Sequence, residues 1–169
     1  MVVLETERLS LREVEDADAP FILDLLNSPG FLENIGDRGV RDLDGGRAFI
    51  EERLRGSYRE HGFGMWIAVQ KRDAAPVGMA GLVKREGLET PDVGYAFLPR
   101  VWGQGYAQEA AAAVLAHAQG HLGIPKLAAI TTPENFASMA VLRKIGFTFQ
   151  GMIQLPGIEG ESTYFTVGG

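Results

Sequence analysis

Between a strand-like run, Val93 to Leu98, and the most helix-prone stretch of the chain, Gly105 to His121, lies the segment Arg100-Val101-Trp102-Gly103-Gln104-Gly105-Tyr106-Ala107. Two glycines at i and i+2 let the backbone turn tightly, and a strand-to-helix junction this sharp leaves the amides of the turn and of the first helical turn without partners. Those N–H groups and the helix dipole favour an anion, with phosphate or pyrophosphate the natural occupant. The same spacing is met by a turn that needs glycine only for its backbone angles, so on its own it leaves both readings open. A P-loop is excluded because Gly-x-x-x-x-Gly-Lys-Ser/Thr occurs nowhere, and a Rossmann unit because the glycine turn follows the fourth predicted strand.

The rest of the chain can be ordered around this junction. Arg8 to Val14, in which Leu9, Leu11 and Val14 alternate imperfectly with polar residues, reads as a first strand. Asp16 and Asp18 open a helix carrying Phe21, Ile22, Leu25 and Leu26, which Asn27-Ser28-Pro29-Gly30 ends. Residues 31 to 41 read as a loop, and Asp44 as the N-cap of a second helix reaching about Tyr58. Met65 to Gln70, Val77 to Lys84 and Val93 to Leu98 form a predicted antiparallel meander. After the Ala-rich helix, Leu127 to Thr131 is a strand. Thr132-Pro133-Glu134 has the N-cap, N1 proline and first-turn acid of a helix that Gly146 stops, and two strands close the chain. The order β-α-α-β-β-β-α-β-α-β-β implies an α+β fold, a mixed and mostly antiparallel twisted sheet flanked by helices.

No repeat or Pro/Gly/Ser linker divides the 169 residues, so residues 1–169 are expected to form a single domain. The chain has no cysteine, which excludes disulfides, thiolate metal sites and a cysteine nucleophile in the protein. A thiol that reacts here must come with a ligand. The net charge of −6 disfavours nucleic acid as a partner, since binding to phosphate backbones depends on lysine and arginine displacing counterions. Met1 to Ser10 lacks a signal-peptide pattern, and the longest apolar run, Ala110 to Ala116, is far short of the ~20 residues that span a bilayer. The expectation is a cytoplasmic protein that does not engage a membrane. His61, His117 and His121 have no metal-ligand spacing, and no metal is expected.

At several places the sequence resembles one family. Arg100-x-x-Gly103-x-Gly105 resembles the acyl-CoA signature of the GNAT superfamily of N-acetyltransferases. Trp102-Gly-Gln-Gly-Tyr-Ala-Gln-Glu109-Ala resembles that of its ribosomal-protein N-acetyltransferase-like branch. Leu4-Glu-Thr-Glu-Arg-Leu-Ser-Leu-Arg12 is similar to the opening strand of that branch, and Asn135-x-x-Ser138 ahead of Val141-Leu-Arg-Lys-Ile-Gly-Phe147 to its later helix. The motifs follow the family's order and cover essentially the whole chain.

The resemblance implies acetyl-CoA as cosubstrate, an amine acceptor (a small molecule or a protein N-terminus), and a monomer or homodimer. Backbone amides from Val101 to Ala107 would hold the CoA pyrophosphate, and Phe97 and Leu98 would pair with the pantetheine arm in a split between parallel strands. Asn135 would hydrogen-bond the pantetheine and Ser138 would lie near the thioester sulfur. A backbone N–H near Phe97 or Leu98 would stabilise the oxyanion formed when a neutral amine attacks. Many members use a tyrosine to protonate the departing thiolate. Counting back from Gly146, that position here is Leu142, which has no proton to give, so Ser138 is the replacement candidate, either as the donor or as a hydroxyl that only hydrogen-bonds the thiolate while solvent protonates it. Asp92 is a candidate base acting through water, with a β-turn aspartate as the alternative reading. Glu109 is a doubtful catalytic candidate, since an acid in a first helical turn has a local role without one. Acceptor specificity is expected from Phe31 to Arg41 and the second helix, where Arg38 and Arg41 are able to pair with a carboxylate or phosphate or simply to remain solvated. Two other readings keep the same donor site: an acyl-CoA-binding module with little turnover, and an enzyme using another acyl group.

Overall fold

The computed structural model describes residues 1–169. Eight strands, β1 (Val2–Glu5), β2 (Leu9–Arg12), β3 (Met65–Gln70), β4 (Pro76–Val83), β5 (Asp92–Phe97), β6 (Leu127–Thr131), β7 (Thr148–Ile153) and β8 (Ser162–Val167), form one sheet. Their order is β1-β2-β3-β4-β5-β6-β8-β7. Only β5 and β6 are parallel, and they are joined by a crossover carrying the 15-residue helix α5, numbered below. Every other neighbouring pair is antiparallel, as expected from the mixed, mostly antiparallel α+β pattern in the sequence. The register between β5 and β6 is a single pair, Asp92 with Ala128. Beyond it the two strands share no further pairing, and the sheet opens into a split.

Helices cover both faces. On one side α5 (Tyr106–Gly120) and α6 (Phe136–Lys144) pack over Leu9, Leu11, Trp66, Val93 and Phe165. Ala110, Ala111 and Ala118 of α5 are fully buried, and their small side chains let the helix axis lie close to the strands. The other side is covered by α1 (Ala19–Leu26), α2 (Pro29–Asn34) and α3 (Leu43–Phe49), the last running through a π-helical stretch, Ile50–Arg55, into α4 (Gly56–His61). Here Ile22, Leu25, Ile50 and Leu54 meet Ile67 and Met79. Strand residues therefore divide by parity: Val93, Tyr95 and Phe97 belong to the α5/α6 face and Ala96 to the other.

Four local expectations are corrected. The first predicted strand is preceded by another, β1, whose four residues are too few to show a period. Pro29–Asn34 is helical rather than loop, with Pro29 at its first position after Ser28. The second long helix is capped by Asp42 instead of Asp44, because the Asp42 carboxylate accepts the Gly45 N–H at 2.7 Å. Helix α6 starts after Asn135, not Thr132. The Asn135 N–H donates to the Thr132 carbonyl, which closes Thr132-Pro133-Glu134-Asn135 as a turn, and the Asn135 side chain then caps the helix at Ser138 N–H.

The entry to α1 holds a buried ion pair. Asp18, with its side chain 8% exposed, takes two 2.8 Å hydrogen bonds from Arg12 and a third from the Glu15 amide. Burial alone would raise the pKa of this carboxyl, but the bonds from Arg12 and Glu15 outweigh it and hold the pKa below the ordinary value. A depressed native pKa contributes stability that is present above about pH 4 and is lost as the pH falls through the native value. Asp18→Asn is expected to cost about 2 kcal/mol at pH 7. The gap from the native protein should close as urea titrations are repeated from pH 5 down to pH 3, and a gap independent of pH would refute this assignment.

Candidate functional site

The open edge of β5 is set by alternation in the ladder. Leu98 N–H donates to Val77 O on the β4 side at 2.9 Å, whereas Ala128 N–H reaches Pro91 O at 3.0 Å on the β6 side. Odd-numbered residues of β5 thus direct their backbone groups at β6. Past Val93 there is no β6 register to receive them, so the Tyr95 and Phe97 amides face the split. This corrects the expectation for Leu98, whose amide is committed to Val77. The Phe97 carbonyl accepts the Trp102 indole N–H at 2.8 Å, which ties the end of β5 to the turn that follows.

That turn begins as a short 3-10 segment, Pro99–Val101, in which Val101 N–H donates to Leu98 O and Trp102 N–H to Pro99 O. These two amides are committed internally, contrary to the expectation that free donors begin at Val101. The six amides from Gly103 to Gln108 have no acceptor anywhere in the chain, and the ladder resumes with Glu109 N–H to Gly105 O. Gly105, at φ +83°, stands immediately before α5, and Gly103 has φ +79°. Left-handed backbone at alternate positions folds the N–H groups toward one side, the arrangement of an anion nest at a helix N-terminus. The surrounding side chains fix the loop. Val101 and Tyr106 are buried, and the Tyr106 hydroxyl donates to the buried Gln70 amide oxygen at 3.0 Å. Ala107 packs partly against the core, and Gln104 is exposed. Arg100 reaches only Pro76 O, at 3.5 Å. The Trp102 ring lies flush on Gly30 of α2, where a Cβ would fall 2.3 Å from the indole.

Arg8 stands at this nest without any local sequence signal that marks it. Its guanidinium stacks on Tyr106, 4.4 Å from the ring centre, and Nη2 lies 3.3 Å from where a Cβ on Gly105 would project. Glu109 holds it there. The carboxylate takes the Arg8 Nε at 2.7 Å, the Arg8 amide at 2.9 Å and the Thr6 hydroxyl. Burial would raise the Glu109 pKa, but these bonds bring it below the ordinary value. With its oxygens bonded to the β1–β2 turn, Glu109 positions Arg8 and α5, the local role open to an acid in a first helical turn.

Across the split, Tyr95 of β5 meets Ser138 of α6, hydroxyl to hydroxyl at 2.6 Å. Burial raises the Tyr95 pKa, against the Ser138 hydrogen bond that lowers it, so the phenol keeps its proton at neutral pH. Tyr95 was missed because a tyrosine in a strand reads as core. Its significance appears only once α6 places Ser138 opposite. Asn135 caps α6 by accepting Ser138 N–H at 3.2 Å, so its oxygen is engaged and its amide nitrogen is left as the donor. Leu142 is fully buried within the core, and no proton donor occupies its place.

Asp92 opens β5 at the vertex of the split, and its side chain is 3% exposed. It is a strand residue, not a turn residue. Burial raises its pKa against the lowering effect of Arg85, which approaches no closer than 3.5 Å. Its nearest charged partner is Arg85, and Oδ1 is buried without a hydrogen bond.

Comparison with known proteins places this geometry. Residues 8–148 match the family model for the acetyltransferase (GNAT) domain. The chain is 34% identical over 154 residues to YkkB, an uncharacterised protein of Bacillus subtilis strain 168, covering 89% of this chain and 88% of that one. Among solved structures, an acetyltransferase from Agrobacterium tumefaciens strain C58 superposes with a TM-score of 0.82 at 26% identity, covering 98% of this chain and 94% of the other. RimL, a ribosomal L7/L12 alpha-N-protein acetyltransferase solved in complex with coenzyme A, shares the fold with a TM-score of 0.83 at 18% identity over 99% and 98% of the two chains. No helix is long and apolar enough to cross a membrane.

Proposed function

The chain belongs to the GNAT acetyltransferase family, and from that premise we propose that it moves an acetyl group from acetyl-CoA to a primary amine by direct attack within a ternary complex, with residues 1–169 acting as one unit. The observation that carries this reading is the run of six acceptorless amides, Gly103 to Gln108, leading from the open edge of β5. A pyrophosphate is a doubly charged, oxygen-rich group that such a nest fits, and Arg8 stands beside it with a held guanidinium. From there an extended pantetheine arm would run along the split as an additional strand, pairing with the exposed Tyr95 and Phe97 amides and with the Asn135 side-chain amide.

The chemistry at the far end follows from the groups around the vertex. The amine enters neutral, its lone pair forms the C–N bond to the thioester carbonyl, and negative charge gathers on the carbonyl oxygen. A β5 amide facing the split, Tyr95 or Phe97, stabilises that charge without reorganising, since its position is fixed by the ladder to β4. Collapse breaks the C–S bond and releases a thiolate. Ser138 gives it a proton as the Tyr95 hydroxyl behind Ser138 passes its own along the hydrogen bond between them, and Tyr95 regains a proton from solvent before the next turnover. The nitrogen loses its proton to solvent. This route needs no cysteine in the protein and no tyrosine at residue 142.

The test is release of free thiol from acetyl-CoA by the purified chain against a panel of primary amines, with the acetylated product identified by mass. Amine-dependent release is expected. Tight acetyl-CoA binding with no release for any amine would leave an acyl-CoA-binding module, and release only with a longer acyl-CoA would reassign the donor.

A further inference from the structure

Glycine in the middle of a strand weakens it, having no side chain to pack and the most backbone freedom to lose, so its presence there needs a local reason. Four glycines lie within strands: Gly78 and Gly81 of β4, Gly94 of β5 and Gly151 of β7. Three have that reason inside the protein. A Cβ on Gly78 would fall 2.5 Å from Ala96 O and from the Phe97 ring, one on Gly81 would strike Gly64 O, and Gly151 has φ +134°. Gly94 has none of these. Its φ lies outside the left-handed region. A Cβ there would meet nothing closer than Met65 Sδ at 3.5 Å, Met65 Cε at 3.7 Å and Val83 Cγ2 at 3.9 Å, which are ordinary packing distances. A strand glycine that the protein itself does not require marks a place that something else approaches closely.

The position of Gly94 shows what that is. It lies two residues beyond Asp92, the β5 member of the single β5–β6 pair, and so borders the split. Within β5 only Gly94, Tyr95 and Ala96 are partly exposed. The pairings Met65 with Gly81 and Gly81 with Gly94 set Gly94 in one row with Met65, which packs with Ala96 on the α1/α3 face. Gly94 therefore leaves the sheet bare on the face opposite α5 and α6. On the α5/α6 face the split is closed by Tyr95 and Ser138, hydroxyl to hydroxyl at 2.6 Å, the groups that serve the departing thiolate. A nucleophile must reach the carbonyl carbon from another side, and the backbone at Gly94 offers one without a side chain in the way. Its neighbours there, Met65, Val83 and Ala96, are apolar, which favours the neutral amine that attack requires over its ammonium form.

We propose that the acceptor amine reaches the thioester across Gly94, and that Met65 sets how much bulk the carbon beside the attacking nitrogen can carry. The proposal rests on the acetyl-transfer reading above and adds to it the residues that select the acceptor. Met65 is unbranched and adaptable, so it yields to a slender alkyl group and resists a branched one.

The test compares CoA with two conjugates in which the CoA sulfur carries an N-propyl or an N-isopropyl acetamide group, so that an alkyl group stands on the acceptor side and no turnover is needed. Calorimetric titration of the native chain is expected to show the propyl conjugate binding at least as tightly as CoA, and the isopropyl conjugate about tenfold more weakly than the propyl. Gly94→Val should bind CoA within a few-fold of native but the propyl conjugate about 100-fold more weakly, with Gly94→Ala losing about tenfold. Met65→Ala should bring the isopropyl conjugate to within a few-fold of the propyl. Gly94→Ala should melt at or above the native temperature, because its Cβ has room, and it carries the comparison alone if Gly94→Val does not fold. Conjugate binding unchanged in the Gly94 variants, equal loss of CoA and conjugates, or a Gly94→Ala chain that melts well below native would overturn the proposal. Free propylamine and isopropylamine with acetyl-CoA then judge the parent reading separately. If the conjugates bind as expected and no amine is acetylated, the passage at Gly94 stands and the acetyl-transfer reading fails, whereas a folded native chain that binds neither conjugate nor CoA refutes both.

Discussion

Gly105→Val is expected to weaken acetyl-CoA binding by at least about 100-fold, equivalent to about 2.7 kcal/mol, in a chain that still folds. Two effects combine. Valine is β-branched, and φ +83° is a region such residues scarcely enter, so the backbone must rotate and the Gly103 to Gln108 amides lose their common direction. The new Cβ also projects to within 3.3 Å of Arg8 Nη2, pressing on the guanidinium that Glu109 and Tyr106 hold beside the nest. Neither effect reaches the core, since the buried face of α5 begins with Tyr106 and continues through Ala110, Ala111 and Val114. Calorimetric titration of native and variant chains, with thermal melts of both, separates the effects. A dissociation constant within a few-fold of the native value would remove the nest from the binding site.

The legible parts of this fold are those whose signals are local. Gly103-x-Gly105 marks the junction before α5 because left-handed backbone is a property of single residues, and the alanines of α5 mark a helix that packs close. The strands from β3 to β6 are short apolar runs bounded by polar or turn-forming segments, which is enough to read them. What escaped depends on partners distant in the chain. Asn135 and Thr132 are both competent caps in isolation, and the hydrogen bond of Asn135 to Ser138 decides between them. Val101 looks like a donor to the pyrophosphate, and Leu98 like a donor to the pantetheine arm or the oxyanion, until the 3-10 turn and the β4 ladder claim their N–H groups. Glu109 reads as a catalytic candidate only so long as Thr6 and Arg8, about a hundred residues earlier, are not seen against it. For the same reason the sequence offers no means of seeing that Tyr95 faces Ser138.

That last pairing gives the second large effect. Ser138→Ala is expected to lower kcat by about 100-fold, the lower range for losing a positioned proton donor, with acetyl-CoA affinity changed only slightly. Tyr95→Phe keeps the ring that packs against the core and removes only the hydroxyl, so the fold should be preserved and kcat should fall about tenfold. The order of the effects carries the mechanism. If Tyr95 acts through Ser138, the hydroxyl at 2.6 Å has nothing to act on once Ser138 is gone, and the double variant should be no slower than Ser138→Ala alone. A purely structural clasp across the split would instead show independent, additive losses that fall on acetyl-CoA affinity as much as on kcat. Direct protonation of the thiolate by solvent would leave kcat near native in both single variants. Because Tyr95 retains its proton when buried, the relay should also work unchanged as the pH is raised through 8 and 9, so the deficit of Tyr95→Phe should stay constant across that range. A deficit that vanished there would mean the phenol had ionised, and that the pair does not deliver protons in the order proposed.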